Sequence, residues 1–140
     1  MLDASALLPL ILQLGHEVFD HVSRLVALTL TPYEVGNALW KEALTGRVRR
    51  VEPVAQLLHE FLKSIKLLDV RDSWTRVVEL AVEEKLTFYD AAYIYVSRVE
   101  KLILVSEDAD LLKRGAIKTS ELVEKLRGTC LLYTSDAADE

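Results

Sequence analysis

Leu102-Ile103-Leu104-Val105-Ser106-Glu107-Asp108-Ala109-Asp110 runs from an unbroken apolar stretch into a hydroxyl and then into acids. The apolar part reads as a strand buried on both faces, the habit of parallel sheets covered by helices. Its acidic continuation falls at the carboxyl end of the strand, the edge where open parallel sheets bind ligands. Working outward, helix and strand periods alternate. Ala92, Tyr95, Val96 and Val99 mark a helix before this strand, and Ala116–Thr119 reads as a short strand after it. Ser120–Arg127 then reads as a last helix, stopped by Gly128. Upstream, Val54, Leu57, Leu58, Phe61, Leu62 and Ile65 follow helical spacing, so Pro53–Ser64 is a helix opened by proline. Lys66–Val70 reads as a strand, and Asp72 as the cap of a helix to about Lys85 with Trp74, Val77, Val78 and Ala81 on one face. Leu25–Thr29 reads as a strand, followed by a helix over Pro32–Leu44 with Gly46 as its stop. The expected architecture is α/β: a parallel sheet of four or five short strands with helices on both faces.

The ends depart from this pattern. Only Met1 and Leu2 precede Asp3, so the first strand is expected to be a stump, the sequence beginning several residues late. Residues 1–128 make one domain. Thr129–Glu140 has no periodicity and reads as translated sequencing-adapter read-through, or alternatively as a flexible acidic tail.

Composition narrows the function. A chain of 140 residues that is 51% hydrophobic and 28% charged is globular. No apolar run approaches the ~20 residues of a membrane span, and the basic start of a signal peptide is missing, so the expected location is the cytoplasm, away from membranes. Cys130 is the lone cysteine, which excludes an internal disulfide or a Cys-rich zinc site. Of the net charge of −5, Asp136, Asp139 and Glu140 supply −3, leaving −2 for the body. Charge alone therefore does not grip nucleic acid. The histidines His16, His21 and His59 share no ligand spacing and are expected on the surface.

Four acids occupy corners of the chain. Asp3 and Asp108 follow apolar strand-like runs, and Glu34 and Asp90 lie in first helical turns. Each has a structural alternative. Thr31-Pro32-Tyr33-Glu34 has the form of a capping box, Thr87-Phe88-Tyr89-Asp90 resembles one, and Asp3 and Asp108 suit turns. Together, acids at one sheet edge repel unless a hard cation lies between them, and an oxygen-only open site suits Mg²⁺ or Mn²⁺ with bound phosphates. The expected chemistry is metal-assisted cleavage of a phosphodiester. Asp108 and Asp110 compete for the last position, while Glu107 is expected in solvent. Arg47, Arg49 and Arg50 form one basic cluster; Lys113 and Arg114, close after Asp108, are candidates for phosphate contacts. Trp40, Trp74, Phe61, Tyr93 and Tyr95 are more large apolar groups than one small core needs, which points to a homodimer.

The order of Leu2-Asp3-Ala4-Ser5, Pro32-Tyr33-Glu34-Val35-Gly36-Asn37, Phe88-Tyr89-Asp90-Ala91-Ala92-Tyr93 and Val105-Ser106-Glu107-Asp108 resembles the PIN-domain family, specifically VapC-type toxins of toxin–antitoxin pairs. The resemblance spans Met1 to about Arg127. It implies a three-layer α/β/α endoribonuclease whose Asp3, Glu34, Asp90 and Asp108 bind Mg²⁺ or Mn²⁺. By the same resemblance Ser5 and Ser106 brace the acids, and Asn37 is the polar group after the glutamate. It also implies an RNA substrate, a homodimer and a small VapB-like antitoxin that inserts a peptide into the groove. Two other readings stand beside it: an inactive PIN-like binding module, and a haloacid-dehalogenase-type phosphatase suggested by the Asp108-x-Asp110 pair.

Overall fold

The structure is a computed structural model that describes residues 1–128; the expected read-through or tail, with Cys130, lies outside the described residues. The elements run α1 (Ala4–Leu14), a 3₁₀ helix (Gly15–Arg24), β1 (Val26–Leu28), α2 (Thr31–Leu44), α3 (Val51–Ser64) and β2 (Lys66–Leu68). After a 3₁₀ turn (Arg71–Ser73) come α4 (Trp74–Glu84), α5 (Phe88–Val99), the short α6 (Ala109–Leu112), and α7 over 119–128. The fold is mixed α/β, mostly helical around a small parallel sheet.

Strand formation falls short of the expected number. The described residues hold two strands, β1 and β2, paired in parallel with Val26 opposite Lys66. Met1–Asp3, the 102–105 run and the 116–119 run contribute only isolated parallel bridges, Leu2 to Val105 and Val105 to Ile117. The corners explain why. Asp3 caps α1 and Asp108 caps α6, so the chain turns helical before a ladder lengthens. The backbone links are nonetheless continuous. Leu2 N–H donates to Val26 O at 2.8 Å, Asp3 N–H to Val105 O at 3.1 Å, and Ser106 N–H to Ile117 O at 2.9 Å.

Side chains alternate along these segments and separate two cores. Leu2, Ala27 and Val105 enter one, with apolar groups of α1, α3 and α7. Met1, Leu28 and Leu104 enter the other, with Val77 of α4 and Ala91, Ala92, Tyr93, Ile94 and Val96 of α5. This period of two places helices on both sides of the central segments. It also seats the stump firmly: Leu2 is fully buried and Asp3 nearly so.

Local expectations are corrected in four places. Residues 4–24, for which no element is read from the sequence, form α1 and a long 3₁₀ helix; α1 is almost wholly apolar, which hides its helical period. Ile103 is 56% exposed, so the 102–105 run is not covered on both faces; it leaves a left-handed residue, Lys101 (φ 55°), and pairs only at Val105. His21 is buried beside Glu17, not on the surface, because the 3₁₀ helix turns it inward with Val18. Asp72 does not cap α4; it sits in the 3₁₀ turn, and Ser73 occupies the cap position.

Candidate active site

Asp3, Glu34, Asp90 and Asp108, from four separated parts of the chain, line one cavity of about 330 Å³. Ser5, Asn37, Ala38, Lys41 and Tyr93 complete most of its wall. Helical spacing explains the membership. Glu34, Asn37, Ala38 and Lys41 are i, i+3, i+4 and i+7 on α2, and Asp90 and Tyr93 are i and i+3 on α5. The corner acids Asp3 and Asp108 meet because their segments are bridged through Val105.

Asp3 is the most constrained acid. Its Oδ1 accepts from Ser5 Oγ at 2.7 Å and from Ala6 N–H at 3.0 Å, which caps α1, and its Oδ2 accepts from Ser106 Oγ. The same two hydroxyls accept from the opposite segment, Ser5 from Glu107 N–H at 2.8 Å and Ser106 from Asp108 N–H at 2.9 Å. Two serines thereby tie Asp3 to the loop bearing Asp108. Asp108 itself caps α6, its Oδ1 accepting from Asp110 N–H at 2.8 Å.

Glu34 is not held as a capping box would hold it. Leu30, not Thr31, is the cap residue of α2, and no side chain bonds the cap. A chain of hydroxyls holds the carboxylate instead. Leu28 N–H donates to Thr31 Oγ1 at 3.1 Å, Thr31 and Tyr93 hydroxyls meet at 2.6 Å, and Tyr93 O–H donates to Glu34 Oε1 at 2.8 Å. On α5 the cap is real: Thr87 Oγ1 accepts from Asp90 N–H at 3.1 Å. Beyond that threonine, nothing among the described residues hydrogen-bonds the Asp90 carboxylate, which lines the cavity.

Crowding registers in the titration. Burial, opposed by the serine hydrogen bonds, raises Asp3 above the ordinary carboxylate range, with Asp108 adding repulsion. Burial likewise raises Glu34, with the charges of Asp3 and Asp90 adding to it. Burial raises Asp90 too, followed by repulsion from Asp108, Asp3 and Asp110. Desolvation, more than like-charge repulsion, therefore leads at all three.

Three sequence candidates lie elsewhere. Asp110 is exposed and outside the cavity wall, so Asp108 is the acid placed with the others. Arg114 donates to Asp110 O at 3.0 Å and Glu84 O at 3.2 Å, fastening α6 to the end of α4, and Lys113 is exposed and does not line the cavity. Glu107 is exposed as expected, although its carboxylate accepts from Thr119 N–H. Arg47 pairs with Glu42, while Arg49 and Arg50 line a separate surface hollow. Lys41 and Tyr93 join the site without being expected there. Their signal was helical spacing counted forward from Glu34 and Asp90.

The donor set fits a hard cation in chemistry: carboxylate oxygens, an asparagine and hydroxyls, with no sulfur or imidazole. Among the described residues no three acids are gathered closely enough to ligate one ion directly. That arrangement suits Mg²⁺ or Mn²⁺ held through one or two carboxylates and water.

The chain is 41% identical over 128 residues to "Exonuclease VapC9" of Pyrobaculum aerophilum, covering 90% of this chain and 94% of the relative. This chain belongs to the VapC family. A second VapC relative, "Ribonuclease VapC3" of the same organism, is 33% identical over 101 residues, 67% of this chain and 77% of that one. The crystal structure of PAE2754 from Pyrobaculum aerophilum superposes on this VapC chain with a TM-score of 0.80 at 41% identity, covering 91% of this chain and 95% of that one. No family model matches the sequence.

Proposed function

We propose that this VapC chain is a metal-dependent endoribonuclease, the toxin of a toxin–antitoxin pair, and that Asp3, Glu34, Asp90 and Asp108 form its catalytic site. The observation that carries the reading is the meeting of these four acids in one cavity. The names of the two VapC relatives, an exonuclease and a ribonuclease, support nucleic-acid hydrolysis.

Mg²⁺ or Mn²⁺, held through one or two of these carboxylates and through water, would supply charge neutralisation at the phosphate and an attacking water of lowered pKa. The protein's own groups do the rest. Ser5 and Ser106 hold Asp3 against the Asp108 loop, so these two acids keep a fixed spacing without relying on the ion. Tyr93 fixes one oxygen of Glu34 and leaves the other to orient the water for in-line attack. Asn37 offers an amide to the substrate from the same face of α2. Cleavage by water leaves a 5′-phosphate and a 3′-hydroxyl.

Unregulated cleavage harms the host, so a small VapB-like antitoxin with a basic side chain for the acidic cavity and apolar anchors beside it is the fitting inhibitor. Exposed Trp74, Val82 and Val99 support self-association as a homodimer. No described helix is long and apolar enough to cross a membrane; the cytoplasm, where RNA is found, is the location that fits the activity.

Circular single-stranded RNA tests the reading, since only attack on an internal bond opens a circle. The chain is expected to linearise it with Mn²⁺ or Mg²⁺ and not with EDTA, leaving 5′-phosphate ends. Intact circles alongside degraded linear RNA would replace the endonuclease with an exonuclease.

A further inference from the structure

The row of α2 beside the cavity carries a second set of side chains that the acid chemistry leaves unused. Tyr33 is 82% exposed and Trp40 55% exposed. With Asn37 between them they stand at i, i+4 and i+7, next to the Glu34, Ala38 and Lys41 row that lines the cavity. On α5, Tyr89 is 56% exposed immediately before the cavity-lining Asp90, and its ring is braced edge-on by Phe88 at 6.4 Å. Exposed rings thus precede both helix-borne acids. Lys41 adds a cation to a cavity of carboxylates, yet its ammonium makes no ion pair or hydrogen bond among the described residues. A lysine there is free for an anionic group of the substrate.

We propose that Tyr33, Trp40 and Lys41 form a nucleotide-binding track for an unpaired RNA strand leading into the acid cavity, with Tyr89 as the stacking ring on α5. This rests on the ribonuclease reading and assigns the grip on the substrate strand to named residues outside the acid set. Several features favour RNA over a protein partner on this face. The row is aromatic and amide-bearing, and it continues directly into the cavity that holds the acids. Tyr33 and Trp40 lie seven residues apart, roughly 10 Å along the helix. That separation is the length of about three stacked bases at ~3.4 Å each. Aromatic side chains stack on any base and need no sequence match, whereas bases in a duplex offer no free face. Lys41, one position past Trp40, places a positive charge on the backbone of the same strand.

Trp40 is its own reporter, because the chain has only one other tryptophan, Trp74. In a Trp74→Phe background, a single-stranded RNA of about ten nucleotides with 2′-O-methyl groups, added in EDTA so that cleavage plays no part, is expected to quench the remaining fluorescence saturably. The same RNA as a duplex is expected to leave it unchanged. Trp40→Ala and Tyr33→Ala in the parent chain should each weaken binding of that RNA about fivefold to a hundredfold, the range for loss of a base–aromatic stack. Trp40→Phe should recover most of it, and in cleavage assays KM should rise while kcat holds. Lys41→Met should flatten the salt dependence of binding. Melting temperatures matching the parent would exclude misfolding for these exposed positions. Quenching without any RNA cleavage would uphold the track and sink the nuclease reading. Cleavage abolished by Asp90→Asn but untouched by the ring variants, with no quenching, would do the reverse. Equal quenching by duplex, or a change in oligomeric state with Trp40→Ala while RNA binding stays the same, would overturn the track and make the row a protein interface.

Discussion

Asp90 separates a catalytic role from a structural one more clearly than the other acids. The helix cap uses its backbone amide, and burial and neighbouring acids raise its carboxyl above the ordinary range, with only the Thr87 hydroxyl opposing. Asp3 and Glu34 are raised as well, burial first in each case. A carboxyl that holds its proton to higher pH when folded makes the folded state bind more protons than the unfolded one. Stability from these groups therefore falls as pH rises from the ordinary carboxylate range through their raised values, and at neutral pH they oppose folding. Asp90→Asn should raise the melting temperature at pH 7 by a few degrees, with the gain fading as pH falls through the raised value toward the ordinary carboxylate range. The same variant should lose metal-dependent RNA cleavage by a hundredfold or more. A melting scan and a cleavage assay on one preparation check both. A lowered melting temperature at pH 7 would assign Asp90 a structural part instead.

The two acid-bearing helices are built differently despite similar starts. In α5, Thr87 caps the helix through Asp90 N–H, so the cap and the acid share one turn. In α2, Thr31 lies inside the helix and its hydroxyl serves the Leu28 amide and the Tyr93 hydroxyl, which in turn donates to Glu34. Thr87→Ala should therefore cost about 1 kcal/mol, the usual worth of such a cap, read from the midpoint of urea unfolding. Glu34→Gln keeps an oxygen for the Tyr93 hydroxyl and removes a half-buried charge, so its midpoint should match or exceed the parent's. A drop for Glu34→Gln equal to that for Thr87→Ala would restore the capping box at Thr31.

Across the whole molecule, three raised carboxyls in one cavity are a store of unfavourable charge that a cation relieves. Binding to the folded state alone adds stability by mass action, about 2.7 kcal/mol at a hundredfold excess over Kd. Mn²⁺ should therefore raise the melting temperature at neutral pH, and a Glu34→Gln, Asp90→Asn double variant should respond far less. An equal rise in both would place the ion elsewhere on an acidic chain of net charge −5.

Helix α3, the α5 start and the corner positions of the four acids could all be read from residues, because caps and helical spacing act over one to four positions; the cap of α2 could not, since Thr31 turns its hydroxyl to Tyr93. The order of the acid motifs likewise carried the VapC resemblance that the relatives bear out. What folding decided acts over long separations. Strand pairing joins Leu2 to Val105 and stops there, because helices begin at once on either side, and no local pattern announces that limit. Tyr93 reaches Glu34 across 59 positions, and Ser106 reaches Asp3 across 103. Arg114, near the acids in sequence, is spent on the carbonyls of Glu84 and Asp110, while Lys41, remote from three of the four acids in sequence, stands among them. A chain states which side chains a helix face offers; only the packing of that face against distant segments selects which of them share a cavity.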